Sequence, residues 1–398
     1  MPVSIIEDRA ILLCTGIAFA SLIAQGCGDS APAPSLDEVY DQGLTRYVGE
    51  FTPDNEVPLE GGVTRFEFDV PDDPTEGPRG PLCLRGTEFS VETRPGSSDE
   101  LFIWLQEGGA CWPEFCAATE ETSDIFDEGI LDLTVPNNPL ADHDLVYVPY
   151  CDGSLFAGDV DRLLPPSIVG PSTMGDTLSF QRGVQNLSAA LDIARREFPE
   201  PTRVVLAGSS GGAFGTITAA PLVRFYFPDV DILVFNDSGI GIIRDGQPDF
   251  ITDLLDGWNA LSIVPESCTD CISDGNVTGF IRWNLENDPN LFMGPITHTQ
   301  DAIISGFFLR EDPDVFQAAV LRETGELAEA FPQRYRRYLQ AGSNHSVMLN
   351  SGPVVPFLTG MLGSLVDEEI EGVTPLEWIT EGVQQTDAWQ DTVDPSLR

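Results

Sequence analysis

The segment from Arg203 to Ala213 limits the fold more than any other part of the chain. Residues 204–207 are continuously apolar and predict a buried strand, and the small residues after Ser210 predict a helix. Between them Gly208, Ser210 and Gly212 form a G-x-S-x-G pattern, which in this context predicts a sharp strand-to-helix turn. Such a turn exposes the Ser210 hydroxyl at the carboxyl edge of a sheet, and the glycines allow the close backbone approach that it needs. Ser210 is therefore the candidate nucleophile.

Further apolar runs predict a sheet around this turn. They cover residues 63–70, 89–93, 101–105, 145–148, 203–207, 232–235, 291–296 and 338–341. Helical patterns lie at 184–194, after Ser210, near Val354–Leu365 and at Pro375–Ile379. Strand and helix alternate in the second half, which predicts an α/β protein with a mostly parallel central sheet flanked by helices. The closer N-terminal runs predict antiparallel pairs.

The segment 239–290 is long for a connection between two strands. It carries a Cys-Thr-Asp-Cys run and the aromatic residues Trp258, Phe280 and Trp283. Long insertions between core elements often form lids or binding loops. A packed structural excursion held by its own disulfide is the alternative, and the sequence leaves both open.

A serine hydroxyl needs a general base, and the chain has three histidines. Serine hydrolases with this turn order their triad as Ser, then Asp or Glu, then His. His143 precedes Ser210 and fails that test. His345 lies in a polar loop after the last apolar run and is the predicted base, whereas His298 is expected to be a neighbour of the site or a surface residue.

The acid that orients the base has two candidates, each at the end of a predicted strand. Asp301 follows the second strand after the nucleophile, which is the usual position in this architecture, and is preferred. Asp237 ends the first strand and is the alternative. It could instead shape the pocket floor or bind a substrate hydroxyl.

The developing oxyanion needs donors, and a glycine pair can supply them. Gly108 and Gly109 follow the apolar run 101–105 and resemble the glycine-rich oxyanion loop of lipases and esterases. Their amides, with that of Gly211, are the predicted oxyanion hole. A disulfide between Cys111 and Cys116 would hold this loop in place.

Six cysteines lie beyond the N-terminal segment, an even number that is typical of an exported protein. The close pairs predict the disulfides Cys111–Cys116 and Cys268–Cys271, which leaves Cys83 to pair with Cys151. We expect no zinc at the Cys-Thr-Asp-Cys run, because no second pair of ligands stands at a suitable spacing. No metal or organic cofactor is expected.

The N-terminus predicts export. Residues 10–24 are almost all apolar or small, and this run is too short to span a membrane. Residues 24–27 resemble a bacterial lipobox, so we expect a lipoprotein-type signal peptide over 1–26, lipidation of Cys27, a tether over 27–45 and one catalytic domain over 46–398. Simple secretion is the alternative. As a lipoprotein, the protein would contact the membrane through its lipid anchor only, at the cell surface or in the periplasm.

The charge of the chain excludes some partners. There are 64 acidic and 20 basic residues, all of the latter arginine, and the net charge is -44. Nucleic-acid binding needs basic patches, so no nucleic-acid partner is expected. An acidic surface suits a salty medium, although codon bias would equally explain the missing lysine. We expect a monomer.

Together these motifs resemble the pectin acetylesterase family, which includes plant pectin acetylesterases, exported bacterial members and the animal carboxylesterase Notum. The motifs are Glu107-Gly108-Gly109-Ala110-Cys111-Trp112, Pro149-Tyr150-Cys151, Gly208-Ser209-Ser210-Gly211-Gly212, Asn236-Asp237-Ser238-Gly239 and His345. The resemblance spans about Cys83 to Trp378. It implies an α/β-hydrolase-like fold and a triad of Ser210, Asp301 and His345, with oxyanion glycines at Gly108, Gly109 and Gly211.

The chain departs from bacterial members after Tyr150. They read Tyr-Cys-Thr-Gly-Asp-Val-His there, and this chain has no histidine in the corresponding loop. Trp112, Tyr150 and Asp237 are the candidate pocket residues. De-esterified pectin is a polyanion that so acidic a protein would repel at low salt, so pectin is not favoured as the substrate.

The predicted function is an exported serine carboxylesterase that removes a short acyl group, most simply acetyl, from a small-molecule or saccharide ester. Two alternatives stay open: a long-chain lipid or protein deacylase of the same family, and a non-catalytic carbohydrate-binding surface lipoprotein. A deep apolar pocket under the segment 239–290 would favour long chains, and small lining residues would favour acetyl.

Overall fold

The apolar runs form a ten-stranded sheet with helices on both faces. The structure is a computed structural model and describes residues 35–77, 79–170, 175–349 and 361–398. The strands are β1 (Asn55–Pro58), β2 (Thr64–Phe68), β3 (Phe89–Arg94), β4 (Leu101–Leu105), β5 (Gly109–Trp112), β6 (Phe115–Ala118), β7 (Asp144–Val148), β8 (Val160–Leu164), β9 (Thr177–Gln181), β10 (Arg203–Ser209), β11 (Asp231–Asp237), β12 (Leu291–His298), β13 (Tyr338–Gln340) and β14 (Thr392–Val393).

Seven α-helices surround the sheet in the described residues. They are α1 (Asp37–Asp41), α2 (Gly183–Glu197), α3 (Gly211–Tyr226), α4 (Pro248–Gly257), α5 (Thr278–Asn287), α6 (Pro313–Ala330) and α7 (Pro375–Val383). Residues Ala302–Leu309 form a π-helical turn between β12 and α6.

The sheet order is β1-β2-β3-β7-β4-β10-β11-β12-β13-β14. The pairs from β1 to β3 and β3 with β7 are antiparallel, and every pair from β7 to β14 is parallel. The prediction of antiparallel pairs at the N-terminus and a parallel sheet beyond them is confirmed. The architecture is α/β-hydrolase-like.

Burial on both faces explains why the central strands are continuously apolar. In β4, Ile103 packs into the cluster that contains Leu187 of α2, whereas Trp104 packs into the opposite cluster with Trp378 of α7. Alternating side chains thus face two cores, as expected for a parallel sheet covered on both sides. The carboxyl ends of β10, β11 and β12 lie side by side, with Ser209 opposite Asp237.

Two expected elements, the tether and one helix, fall partly outside the described residues. The tether over 27–45 is wrong in its second half, because α1 begins at Asp37 and both Val39 and Leu44 are buried against the core. Apolar side chains there can be buried only if the chain packs on the domain. Residues 27–34 lie outside the described part. The helix expected near 354–365 falls mostly outside it too, and residues 361–365 are not helical.

The sequence reading missed α6, although its signal was present. Asp312 caps the helix with its side chain and Pro313 occupies the first turn. Its buried residues Phe316, Ala319, Val320 and Leu327 recur at helical spacing.

The insertion 239–290 is a packed part of the domain. Ile251, Trp258 and Phe280 belong to the main core cluster, and α4 and α5 lie within the segment. Its side chains also wall the cavity described below, so the structure combines the two roles that the sequence left open.

The three predicted disulfides, Cys83–Cys151, Cys111–Cys116 and Cys268–Cys271, are confirmed. Such bonds are typical of extracellular proteins. Among the described residues, no helix combines the length and the hydropathy needed to cross a membrane. The proposed signal peptide and Cys27 lie outside the described residues.

Candidate active site

Ser210 occupies the strained turn between β10 and α3 that the sequence predicts. Its φ of 52° and ψ of -117° place a non-glycine residue in a rarely populated region. The amide of Ser210 donates to the Asp237 carbonyl oxygen at 2.8 Å, which ties the turn to β11. A methyl group on Gly208 would lie 2.6 Å from the carbonyl carbon of Gly212, and one on Gly212 would lie 2.0 Å from the Leu105 carbonyl oxygen. Both positions therefore require glycine. At this turn Ser210 lines a cavity.

Asp301 is the carboxylate that contacts the imidazole of His345. The His345 Nδ1 atom lies 2.7 Å from the Asp301 Oδ2 atom, and both side chains are buried. The other oxygen of Asp301 accepts the amides of Ile303 and Ile304 at 2.9 and 3.0 Å, at the start of the π-helical turn. The carboxylate is therefore fixed by two backbone donors while it holds the imidazole.

Asp237 holds the loop that carries His345. Its buried carboxylate accepts the hydroxyl of Ser346 at 2.7 Å and the amides of Val347 and Met348 at 2.9 Å each. The prediction that Asp237 shapes the pocket floor or binds a substrate hydroxyl is wrong, because its oxygens are occupied by this loop. The reason is positional: β11 ends beneath the loop rather than at the cavity wall.

A second contact joins the nucleophile turn to this loop. The Ser209 hydroxyl donates to the Ser346 hydroxyl at 2.7 Å, and the pair is buried. Ser209 and Ser346 are the chain neighbours of Ser210 and His345. The two candidate catalytic residues are thus carried by backbone segments that contact each other directly.

The three predicted oxyanion glycines are brought together. A methyl group on Gly211 would lie 3.3 Å from the Gly109 amide nitrogen and 3.5 Å from that of Gly108. Gly109 has a φ of 82°, which favours glycine. The Cys111–Cys116 disulfide crosslinks the β5–β6 hairpin that begins at Gly109.

Tyr150 supports this loop from behind rather than lining the cavity. Its hydroxyl donates to the Gly109 carbonyl oxygen at 2.8 Å and accepts the Leu155 amide at 2.9 Å. The expectation that Tyr150 is a pocket residue is therefore wrong, because its ring is fully buried and its hydroxyl is used by the backbone. Trp112 does line the cavity, as predicted.

Comparison with known proteins bears on this arrangement. Residues 78–248 match the family model described as pectinacetylesterase. The match covers fewer than half of the residues and shows a likeness to this family over that part of the chain. The match contains Gly108, Gly109 and the Ser210 turn, and it ends before Asp301 and His345. A search of curated proteins finds no match to this chain.

The likeness to pectinacetylesterase over residues 78–248 points to carboxylic ester hydrolysis, and such chemistry needs a neutral base. Burial alone would lower the pKa of His345, but the charge and hydrogen bond of Asp301 raise it, and the charges of Asp237 and Glu107 add to the rise. The net result is a pKa above the ordinary histidine value. The base would therefore become neutral only at alkaline-shifted pH.

Glu107 is a site residue to which the sequence reading gave no role. It directly precedes the oxyanion glycines, and burial raises its pKa to about 7. Both carboxyl oxygens are buried without a hydrogen-bond partner among the described residues. Its position before Gly108 was visible in the sequence, but its burial beside His345 depends on the fold.

An apolar cavity opens beside Ser210. It has a volume of about 490 Å³ counting its open mouth. Its walls combine Gly109 and Gly211 with apolar side chains from the insertion and the π-helical turn, among them Ile243, Leu254 and Phe308. A second apolar cavity of about 490 Å³, also counting its open mouth, adjoins the first and shares the lining residues Leu155, Ile243 and Leu254 with it.

The remaining histidines serve elsewhere. His143 lies 3.0 Å from Glu100 before the start of β4, at the opposite end of the strand from the oxyanion loop. His298 is buried at the end of β12, and its Nε2 atom is 3.4 Å from Glu368, so the surface alternative is wrong. It is a neighbour of the His345 loop, because Gly363 contacts both segments.

One group of described side chains could approach a metal ion. Carboxylate oxygens of Asp245, Asp274 and Glu323 lie within 4.8 Å of one another. Arg322 already pairs with Asp245 at 2.5 Å. Partly exposed acidic groups of this kind occur without an ion, and none of the three lines the cavity at Ser210.

Proposed function

We propose that the protein is an exported serine carboxylesterase in which Ser210, His345 and Asp301 form the catalytic triad. The observation that carries the proposal is the 2.7 Å contact between His345 and Asp301, on a loop tied to the Ser210 turn. A proton on Nδ1 would donate to Asp301, which leaves Nε2 free to accept a proton from Ser210.

The reaction would proceed in two steps. The Ser210 oxygen attacks the ester carbonyl while His345 accepts its proton, and the amides of Gly108, Gly109 and Gly211 stabilise the oxyanion. Collapse breaks the bond to the alcohol, which leaves with the proton from His345. Water, deprotonated by His345, then attacks the acyl-enzyme, and the carboxylic acid and free Ser210 are released.

The cavity bears on the acyl group. The sequence favours acetyl, which stays a prediction, but an acetyl group needs little space beyond the oxyanion hole. Two adjoining apolar cavities lined by side chains of the insertion support a longer apolar chain, since apolar surface is the preferred environment for methylene groups. We therefore assign an acyl chain longer than acetyl.

Ester hydrolysis by the folded chain tests both statements. We expect 4-nitrophenyl esters from acetate to palmitate to be cleaved, with the highest kcat/KM beyond acetate, and Ser210→Ala to abolish cleavage. Activity that survives Ser210→Ala would remove the triad. Absence of cleavage at low and high salt would favour the carbohydrate-binding alternative.

A cavity variant separates chain length from catalysis. Ile243 lines both apolar cavities, so the larger side chain in Ile243→Phe should reduce the space available to an acyl chain in both. We expect kcat/KM for octanoate to fall about tenfold or more, as for loss of several buried methylenes, with acetate nearly unchanged. Equal losses for both esters would contradict the assigned acyl site.

Lipid anchoring remains a proposal that rests on the sequence around Cys27. Mass spectrometry of the N-terminal peptide from the exporting host should show a diacylated Cys27. An unmodified mature N-terminus would favour simple secretion.

A further inference from the structure

A wider cleft adjoins the apolar cavity on its outer side. Its volume is about 1090 Å³ counting its open mouth. The two spaces share the side chains of Trp112, Phe250, Leu254 and Phe308, so they adjoin along a wall of mostly aromatic residues. A ligand held at Ser210 in the inner cavity would extend past this wall into the outer cleft.

The outer cleft is cationic in a strongly anionic protein. Arg162, Arg244 and Arg310 line it, and its acidic residues are Glu114 and Asp253. Three positive charges thus face two negative charges, whereas the whole chain carries -44. The inner cavity has no charged lining residue among those described.

These arginines are not committed to ion pairs. Within the ranges that the structure describes, none of the three has a carboxylate within 4.0 Å, although most other arginines do. Arg162 donates to the Gly257 carbonyl oxygen and Arg244 to that of Leu309 at 3.2 Å. Most of their N–H donors therefore remain available for a ligand.

Aromatic packing holds two of the guanidinium groups at the cleft. The Arg244 guanidinium carbon lies 3.7 Å from the centroid of the Phe250 ring, and that of Arg310 lies 5.8 Å from the centroid of Phe115. Stacking on a ring reduces the freedom that a long side chain would lose on binding an anion.

We propose that this arginine cleft binds the alcohol portion of the ester through an anionic group, a carboxylate or a phosphate, while the inner cavity holds the acyl chain. This rests on the proposed esterase function. The planar guanidinium fits either oxyanion in a bidentate manner. A locally cationic cleft also offsets the repulsion that an anionic substrate would meet at the rest of the surface.

The test compares matched esters with the same acyl chain. The probes are 4-octanoyloxy-3-nitrobenzoic acid and 4-octanoyloxy-3-nitrobenzylphosphonic acid. Their neutral partners are the methyl ester of the benzoic acid and the dimethyl ester of the phosphonic acid. The measured quantity is the ratio of kcat/KM for each anionic ester to that of its neutral partner, at fixed salt. A larger ratio for one acid than for the other identifies the preferred anion.

Variants show whether the arginines cause the ratio. In Arg244→Gln/Arg310→Gln we expect the ratio to fall at least about tenfold, because charge-assisted hydrogen bonds are lost. Arg195→Gln/Arg336→Gln is the matched control, since it removes the same two charges from arginines that lie outside the cleft and, in the described part of the chain, have no ion pair. It should change the ratio less than about twofold. Arg244→Lys/Arg310→Lys keeps both charges and should retain part of the preference for the anionic ester over its neutral partner.

The outcomes separate the two proposals. Cleavage of the neutral esters by every variant shows that the enzyme is folded and active. If the ratio for both anions is then the same in Arg244→Gln/Arg310→Gln as in Arg195→Gln/Arg336→Gln, the arginine cleft proposal is overturned. If no ester is cleaved by the wild-type protein, the proposed function itself fails.

Discussion

Replacement of Asp301 by asparagine tests the proposed triad most directly, because the structure defines what the new amide can do. One carboxylate oxygen accepts the amides of Ile303 and Ile304, so the asparagine oxygen would keep that place. The NH₂ group would then face His345 Nδ1, 2.7 Å away in the wild type. Nδ1 must accept that hydrogen bond, which moves the proton to Nε2. Such a tautomer cannot accept the proton of Ser210.

The expected loss follows from this tautomer. In serine hydrolases the equivalent exchange lowers kcat by about 10⁴-fold. At about 1.36 kcal/mol per tenfold change in rate, this is about 5.4 kcal/mol of transition-state stabilisation. KM should change little, since Asp301 does not line the cavity. The free energy of unfolding should fall by no more than about 3 kcal/mol, the upper range for one charged hydrogen bond.

Asp237→Asn is the matched control, with the same chemical change at the neighbouring strand end. Its carboxylate accepts four donors, the hydroxyls of Ser238 and Ser346 and the amides of Val347 and Met348. An NH₂ group must face at least one of these donors, and each buried group left unpaired costs about 1–3 kcal/mol. We therefore expect stability and activity to fall together in Asp237→Asn.

The assay is kcat with a 4-nitrophenyl ester between pH 5 and 10, together with urea unfolding of both variants. Loss of Asp301 also removes the main charge that raises the His345 pKa, so any residual activity should reach its plateau at lower pH than in the wild type. The reasoning is refuted if Asp301→Asn keeps kcat within tenfold, or if Asp237→Asn loses kcat with unchanged stability.

Two further predictions concern stability. The pKa of Glu107 is about 7 in the folded state against a usual 4.5. Between these values the folded state retains a proton that the unfolded state loses, so the contribution of Glu107 to the free energy of unfolding falls as the pH rises. Between pH 4 and 8 the wild type should lose about 3 kcal/mol relative to Glu107→Gln in urea unfolding; parallel pH profiles would contradict this. Among the disulfides, alanine replacement of the Cys83–Cys151 pair, 68 residues apart, should cost about 4 kcal/mol, and that of Cys111–Cys116, 5 residues apart, about 2 kcal/mol. Equal costs in thermal unfolding would show that loop length is not the controlling factor.

Much of the fold could be read from local patterns. The bounds of β4 match the predicted run, and β10 extends the predicted one by two residues to Ser209. Continuous burial in a parallel sheet leaves an apolar run that is hard to mistake. The helices of the insertion were not predicted individually, because α4 and α5 are short and their packing partners are distant in sequence.

The residues of the candidate site also fall into those that the sequence identified and those that only the fold revealed. The turn at Ser210 and the glycines of the oxyanion loop were recognisable because each depends on steric limits within a few residues. For the two aspartates the sequence preferred Asp301 as the acid but left Asp237 open, since both stand at strand ends and differ in which part of the His345 loop they contact. The burial of Glu107 likewise depends on the tertiary fold and could not be read from its neighbours in the chain.

What the sequence determined by itself is therefore the nucleophile turn, the disulfide pairs, the parallel core and the acidic charge, all of which depend on neighbours in the chain or on composition. The tertiary structure alone decided that Asp301 holds His345, that Tyr150 supports the oxyanion loop, and that three arginines meet in one cleft. Arg162, Arg244 and Arg310 come from three separate segments. Charges so far apart in sequence acquire a common role only when folding brings them to the same wall.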